Sequence, residues 1–225
     1  MVAHPPGFIK TFIGYTGPEL ATQETLYGFV MALIFITSAQ VGVISYASPW
    51  DIVTLIVGMN FVWGVIDMYI FYRMDVTAQR RYAEVLGGAN CCTIDEHYDL
   101  VYGALGGTIF DALSEKDKKR AVHLIMESDV GTKEEMKLDR INMLLSAISC
   151  FVITMITTVP LILCLILIED PYGSLTAASA VAGVCLFFTG FMLEPLNSLL
   201  KKVATGISIS VLALALTFFA TYLGG

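Results

Sequence analysis

Residues 141–168 read INMLLSAISCFVITMITTVPLILCLILI and contain no charged side chain. A helix needs about 20 mostly apolar residues to cross roughly 30 Å of bilayer hydrocarbon, so this stretch is long enough to span a membrane. Its apolar residues are continuous, whereas the strands of a membrane barrel alternate apolar and polar residues. We therefore predict a membrane-spanning helix here.

Four further stretches have the same character, and they are residues 26–46, 52–72, 174–193 and 203–223. The composition agrees, because hydrophobic residues make up 56% of the chain, charged residues only 15%, and the mean hydropathy is +0.73. A soluble domain of this composition would leave too much apolar surface in water. The sequence predicts an all-α integral membrane protein with five transmembrane helices, of which the last two are rich in small residues that allow close helix packing.

The basic residues give this arrangement an orientation. The 13 Lys and Arg residues lie in three places: Lys10 near the N-terminus, a group within residues 73–140, and the pair Lys201 and Lys202. The other two connections, residues 47–51 and 169–174, carry acids but no base. Since basic loops stay on the cytoplasmic side, we predict a cytoplasmic N-terminus and an external C-terminus.

The chain then divides into four segments. These are a cytoplasmic arm at 1–25, spans one and two at 26–73, a small helical cytoplasmic domain at 74–140, and spans three to five at 141–225. The third segment is too long and too patterned to be a simple loop. No Pro or Gly lies between Gly64 and Gly87, so the second helix is expected to continue past the membrane.

The domain at 74–140 has helix signals of its own. Thr132 and Glu135 form a capping-box pattern, which predicts a helix that runs from Lys133 unbroken into the third span. Two shorter helices are predicted at 95–110 and 115–127, the second capped by Ser114. We expect their apolar side chains to form a small core: Leu100, Leu105, Ile109, Val122 and Ile125.

Asp67 is the polar residue of the spans that most requires an explanation, because acids inside a bilayer are costly without a partner or a water path. It lies about five residues from the cytoplasmic end of the second predicted span, and Asn60 and Gly64 share its helix face. This polar stripe should face protein or water. It indicates either ion or proton handling or a structural hydrogen bond within the bundle. Gln40, at a different depth, is more typical of a helix–helix contact.

Other chemistries find little support. Cys91 and Cys92 are adjacent and would chelate a metal poorly, with His97 as the one nearby nitrogen ligand, so no metal ligands are assigned in the domain at 74–140. No nucleophile–base pair or nucleotide loop occurs in a plausible context, and we predict neither an enzyme nor a covalently bound cofactor. The same domain has more acids than bases, which argues against nucleic-acid binding.

Five spans, a cytosolic N-terminus and a helical domain between spans two and three resemble the vacuolar iron transporter family of ferrous and manganous ion carriers. Residues 64–68 and 76–80 are similar to the family's small-residue stretch, Met and terminal Val-Ser-x-Gln-Arg segment. Residues 195–225 resemble its final amphipathic lead-in and Gly/Ala-rich span. The resemblance implies a homodimer with an ion pathway along the first two spans.

The chain departs from the family at its metal ligands. Where the family's first span has an Asn-Asp-Gly motif whose Asp binds the metal, this chain has Val30-Met31-Ala32. Where the second span has Gly-Glu-Tyr, it has Phe71-Tyr72-Arg73. The family's cytoplasmic Glu clusters are reduced to Glu84 and, much later, Glu134-Glu135. The expectation is an inherited fold without the original metal site.

A modified site is the remaining candidate. In antiparallel helices, Met31 is expected at the depth of Asp67 and Met68, and Asn60 extends the same stripe. A carboxylate with two thioethers favours a softer or more weakly held ion than a carboxylate-rich cage. The predicted pathway residues, for a metal ion or a proton, are therefore Asp67, Met68, Met31 and Asn60.

Two functions follow. The first is a transporter of a divalent metal cation, ferrous or manganous ion, that handles the ion or a proton at Asp67. The alternative is a non-transporting scaffold or accessory subunit that kept the transporter-like fold and binds a cytosolic protein through residues 74–140. In either case the expected partners are membrane lipid and a second copy of the chain.

Overall fold

A computed structural model describes residues 16–87, 93–128, 133–193 and 198–223, without the side chains of 18 and 133–138. Its regular structure within these ranges is helical throughout. The helices are α1 (Pro18–Gln40), α2 (Pro49–Gly87), α3 (Ile94–Leu105), a 3₁₀ turn (Ile109–Ala112), α4 (Glu115–Met126), α5 (Lys133–Leu167), α6 (Pro171–Met192) and α7 (Leu199–Leu223).

Helices α1, α2, α5, α6 and α7 are long and apolar enough to cross a membrane. This confirms the all-helical class and the prediction of five spans, and it is the pattern of an integral membrane protein. The described residues form two compact units, one that combines those up to residue 70 with those from 145 onward, and one that lies within 71–144. We call them the bundle unit and the connecting unit.

The first helix lies earlier in the chain than predicted. It begins at Pro18, eight residues before the expected start at 26, and ends at Gln40, six before the expected end at 46. Gly17 and Gly42 flank it with φ angles of +85° and +78°, a backbone region that glycine adopts at low cost. The shift brings Glu24 into the candidate span.

The core of the bundle unit joins all five long helices. From α1 it takes Phe29, Leu33 and Ile36, and the other helices add Ile52, Ile56, Leu161, Leu165, Leu175, Leu186 and Ala213. Helix α1 packs against both α6 and α7. Its apolar and polar contacts on several sides make it the central helix of this core.

Helices α6 and α7 approach each other closely through glycine. A β-carbon added at Gly190 would lie 2.9 Å from the Cα of Gly206, and one added at Gly206 would lie 2.7 Å from the Phe187 carbonyl oxygen. Side chains larger than hydrogen are therefore excluded from this contact. The prediction that small residues bring the last two spans together is confirmed.

The two long helices at the edges of the connecting unit continue beyond the predicted spans without a break, as expected. Helix α2 runs unbroken from Pro49 to Gly87, and α5 begins at Lys133 and continues for 35 residues to Leu167. Ser114 caps α4 as expected, accepting a hydrogen bond from the Asp117 backbone N–H. Some predictions lie outside the described residues: the arm before residue 16, Cys91 and Cys92, Thr132, the side chains of Glu134 and Glu135, and the stretch 194–197.

The predicted core of the connecting unit was wrong at two positions. Val101 and Phe110 are buried with Val85 and Val122, whereas Leu100 is 39% exposed and Ile109 is 88% exposed. Helix α3 ends at Leu105 instead of 110, and the 3₁₀ turn that follows changes the direction in which residues 109 and 110 point. Leu105 and Ile125 pack against this core as expected.

Candidate functional site

Two acidic side chains are buried inside the bundle unit. Glu24 on α1 has no exposed surface, and Asp67 on α2 is 8% exposed. The two helices meet near these acids, because the rings of Tyr27 and Trp63, about one turn from Glu24 and Asp67, have centroids 6.3 Å apart. Burial of like charges is costly unless something compensates them, so the pair requires a counter-charge or a proton.

The helix periodicity accounts for both positions. On α1 and α2 the buried residues recur every three or four positions, as on one face of a helix. On α1 they include Ala21, Glu24, Gly28, Ala32 and Ile36, and on α2 they include Ile52, Ile56, Asn60, Gly64 and Asp67. The predicted polar stripe of Asn60, Gly64 and Asp67 is thus buried within the protein.

A third helix contributes a hydroxyl group to Glu24. The Thr154 hydroxyl on α5 donates a hydrogen bond of 2.6 Å to Glu24 Oε2, and its oxygen also lies 3.0 Å from the Cys150 carbonyl oxygen. Thr154 has no exposed surface. The contact therefore fixes one carboxylate oxygen of Glu24 within the core.

Three buried oxygen atoms on these helices have no hydrogen-bond partner among the described residues. They are Glu24 Oε1, Asn60 Oδ1 and Asp67 Oδ2. The Asn60 side-chain N–H donates to the Ile56 carbonyl of its own helix at 2.9 Å, whereas its Oδ1 accepts no hydrogen bond from the described residues. Buried polar groups are nearly always paired, so these three oxygen atoms indicate a place where a hydrogen-bond donor or a cation binds.

The sequence around the site contains no fixed positive charge. No Lys or Arg occurs in residues 11–72 or in residues 141–200. Among the described residues the one salt bridge joins Lys118 to Glu115 at 2.9 Å, and it belongs to the connecting unit. The carboxylate pair is thus not neutralised by a basic side chain of the spans that carry it.

Two glycines allow the three helices to meet. A β-carbon at Gly28 would collide with the Thr157 hydroxyl and lie 3.1 Å from the Thr154 carbonyl oxygen. A β-carbon at Gly64 would lie 2.9 Å from the Phe151 ring. Helix α5 therefore contacts α1 and α2 at glycine positions, one turn from each carboxylate.

Met31 on α1 and Met68 on α2 are both partly buried, so each lies partly inside the protein. Met68 follows Asp67 directly along α2. The expected place of Met31 at the depth of Asp67 and Met68 stays a prediction.

Gln40 has the helix–helix role that its position predicted. The Ser179 hydroxyl on α6 donates to Gln40 Oε1 at 3.4 Å. Two residues earlier on α1, the Ser38 hydroxyl lies 3.5 Å from that of Thr221 on α7. These polar contacts connect the central helix to α6 and α7 at the end of α1 away from Glu24.

Sequence reasoning missed Glu24 and Thr154. Glu24 was assigned to the arm that precedes the first span, although Pro18 after Gly17 is a helix-start signal that would have included it. Thr154 is one of several hydroxyl residues in an otherwise apolar helix. Its pairing with Glu24 joins residues 130 positions apart and has no local sequence signal.

Comparison with known proteins adds no assignment. No family model matches the chain, and neither the curated proteins nor the solved structures gave a match. Within the described ranges, no group of three or more His, Cys, Asp or Glu side chains is suited to hold a metal ion. A cation at Glu24 and Asp67 would therefore need further ligands from neutral oxygen or sulfur atoms, or from water.

Proposed function

We propose that this protein is a transporter of a divalent metal cation, with Glu24 and Asp67 as the charged ligands on its pathway. The observation that carries the proposal is the pair of buried carboxylate oxygens, Glu24 Oε1 and Asp67 Oδ2, that have no partner among the described residues. Two carboxylates balance the charge of one divalent ion, and oxygen ligands suit manganous ion. Ferrous ion is the second candidate, through the resemblance to the vacuolar iron transporter family.

Several features of the predicted pathway belong to this proposal. Asn60 lies seven residues before Asp67, about 10 Å along α2, and Met68 is adjacent to Asp67. Met31 on α1 is the remaining candidate ligand. Such neutral ligands hold an ion weakly, and weak sites suit a pathway because an ion must also leave. Entry from the cytoplasm, a cytoplasmic connecting unit and a homodimer complete the proposal, on the basis of the basic-residue distribution and of the family resemblance.

Uptake of Mn²⁺ by proteoliposomes tests the proposal. At sub-saturating Mn²⁺, Glu24→Gln and Asp67→Asn should each lower uptake by at least about tenfold, because a loss of about 1.4 kcal/mol of ion binding weakens the affinity tenfold. Glu19→Gln is the matched control, because Glu19 lies on the same helix but is exposed. Uptake by both buried-site variants at the wild-type rate would rule out the proposed transport pathway.

A scaffold function is the alternative, and one observation favours it. The connecting unit exposes large apolar side chains, with Ile94 78%, Ile109 88% and Leu124 59% exposed. Isolated exposed apolar residues are normal, but several on one small unit fit a surface that binds a cytosolic protein. Ile109→Asp and Leu124→Asp should then reduce partner recovery from cells while Mn²⁺ uptake is absent in every variant.

A further inference from the structure

The two oxygen atoms of Glu24 are not equivalent. Oε2 accepts the 2.6 Å hydrogen bond from Thr154, whereas Oε1 is buried without a partner among the described residues. The freedom of Thr154 is limited, because its side chain has no exposed surface and it lies on a helix that contacts α1 at Gly28. Rotation of the Glu24 carboxylate would break the contact with Thr154.

The number of oxygens that a carboxylate offers affects which cation it binds. Ca²⁺ takes six to eight oxygen ligands and often binds carboxylates through both oxygens. Manganous ion prefers an octahedral set of six, which one oxygen from each carboxylate can join. A carboxylate with one oxygen already engaged therefore disfavours Ca²⁺ more than Mn²⁺.

We propose that Thr154 is a specificity-determining positioning residue, which restricts Glu24 to binding through Oε1 and so favours a small octahedral divalent cation over Ca²⁺. The inference rests on the proposed function, since it requires a cation at Glu24 and Asp67. Thr154 touches Glu24 and not the ion. Its effect is on the geometry of the ligand, as expected for groups that orient metal ligands from outside.

Calorimetric titration of the purified full-length chain with Mn²⁺ and with Ca²⁺ tests this role. The wild-type chain should bind Mn²⁺ at least about tenfold more tightly than Ca²⁺. In Thr154→Val, both oxygens of Glu24 can bind the ion. The affinity for Ca²⁺ relative to that for Mn²⁺ should then rise by about tenfold or more. Thr154→Ser keeps the hydroxyl and should keep the wild-type ratio.

Thr158→Val is the matched control. Thr158 is buried on the same helix, and its hydroxyl donates to the Met155 carbonyl at 2.7 Å, so the same substitution there should leave the ratio unchanged. An unchanged ratio in Thr154→Val, or the same shift in Thr158→Val, would overturn the role of Thr154. If Thr154→Val does not fold, equal wild-type affinities for the two ions overturn it, whereas a wild-type chain that binds neither ion overturns the proposed function itself.

Discussion

Gly28 on α1 lies directly against Thr157 on α5, and the contact is close enough that a β-carbon at residue 28 would collide with the threonine hydroxyl. The Thr154 carbonyl oxygen lies beside the same position. Gly28 is one helical turn after Glu24, and Thr154 is the residue that hydrogen-bonds this carboxylate. The approach of two backbones at a glycine thus sets the geometry of the candidate site.

Gly28→Ala should destabilise the bundle unit. The added methyl group must displace Thr157 and separate α1 from α5, and such overpacking costs about 1–3 kcal/mol. The midpoint of thermal unfolding in detergent measures the effect. Gly58→Ala on α2 is the control, because nothing lies within 4 Å of its added β-carbon, and that variant should melt at or above the wild-type temperature. Equal melting of the two variants would contradict the close contact.

Gly190→Ala should weaken the packing of α6 on α7. Its β-carbon would lie 2.9 Å from both the Cα of Gly206 and the Thr205 carbonyl oxygen, and these backbone atoms cannot move aside as a side chain can. We expect a loss of about 1–3 kcal/mol in the free energy of unfolding, measured in detergent. Gly183→Ala on the same helix has open space around it and should cost nothing; a loss as large there would refute the explanation.

The number and type of the long helices could be read from hydropathy because each helix satisfies its backbone internally and needs only apolar length. The limits of α1 could not be read in this way. The continuous apolar run begins at Leu26, and the stretch before it holds Glu19, Gln23 and Glu24, so Glu24 fell outside the predicted span. The burial of Glu24 depends on a hydroxyl that lies on α5, 130 residues later in the chain, and the end of α1 depends on the positive φ of Gly42 within an apolar run.

The connecting unit offers a direct test of one misplaced core position. Phe110 is 5% exposed and stacks edge to face on Tyr102 with centroids 5.4 Å apart, whereas its neighbour Ile109 is 88% exposed. Phe110→Ala should cost about 3–5 kcal/mol by removing a buried aromatic ring. Ile109→Ala, a surface change, should stay within about 0.5 kcal/mol. Hydrogen exchange of residues 93–128 in the full-length chain measures both losses of stability. Faster exchange in Ile109→Ala than in Phe110→Ala would favour the core predicted from the sequence, in which Ile109 is buried.

The same pair shows why side-chain direction was harder to predict than helix position. Helix α3 was expected to continue to 110, and on a continuous helix Ile109 would share a face with Leu105. The chain instead turns at Gly106 and Gly107, the second with a φ of +79°. Thr108 then begins the 3₁₀ turn by accepting a hydrogen bond from the Phe110 backbone N–H at 3.2 Å. Because of this short turn, Phe110 is buried and its neighbour Ile109 is exposed.

The orientation predicted from the basic residues can be tested by cysteine labelling. In a chain whose five native cysteines are replaced, Ser45→Cys lies exposed between α1 and α2, and Lys116→Cys lies exposed on α4. If basic segments face the cytoplasm, a maleimide that cannot cross membranes should label residue 45 in intact cells and residue 116 only after permeabilisation. Tyr172→Cys, exposed at the start of α6, is a second external reporter and should behave like residue 45. Labelling of residue 116 in intact cells, with residues 45 and 172 protected, would show that the protein has the opposite orientation. The entrance to the Glu24–Asp67 site would then lie on the external side.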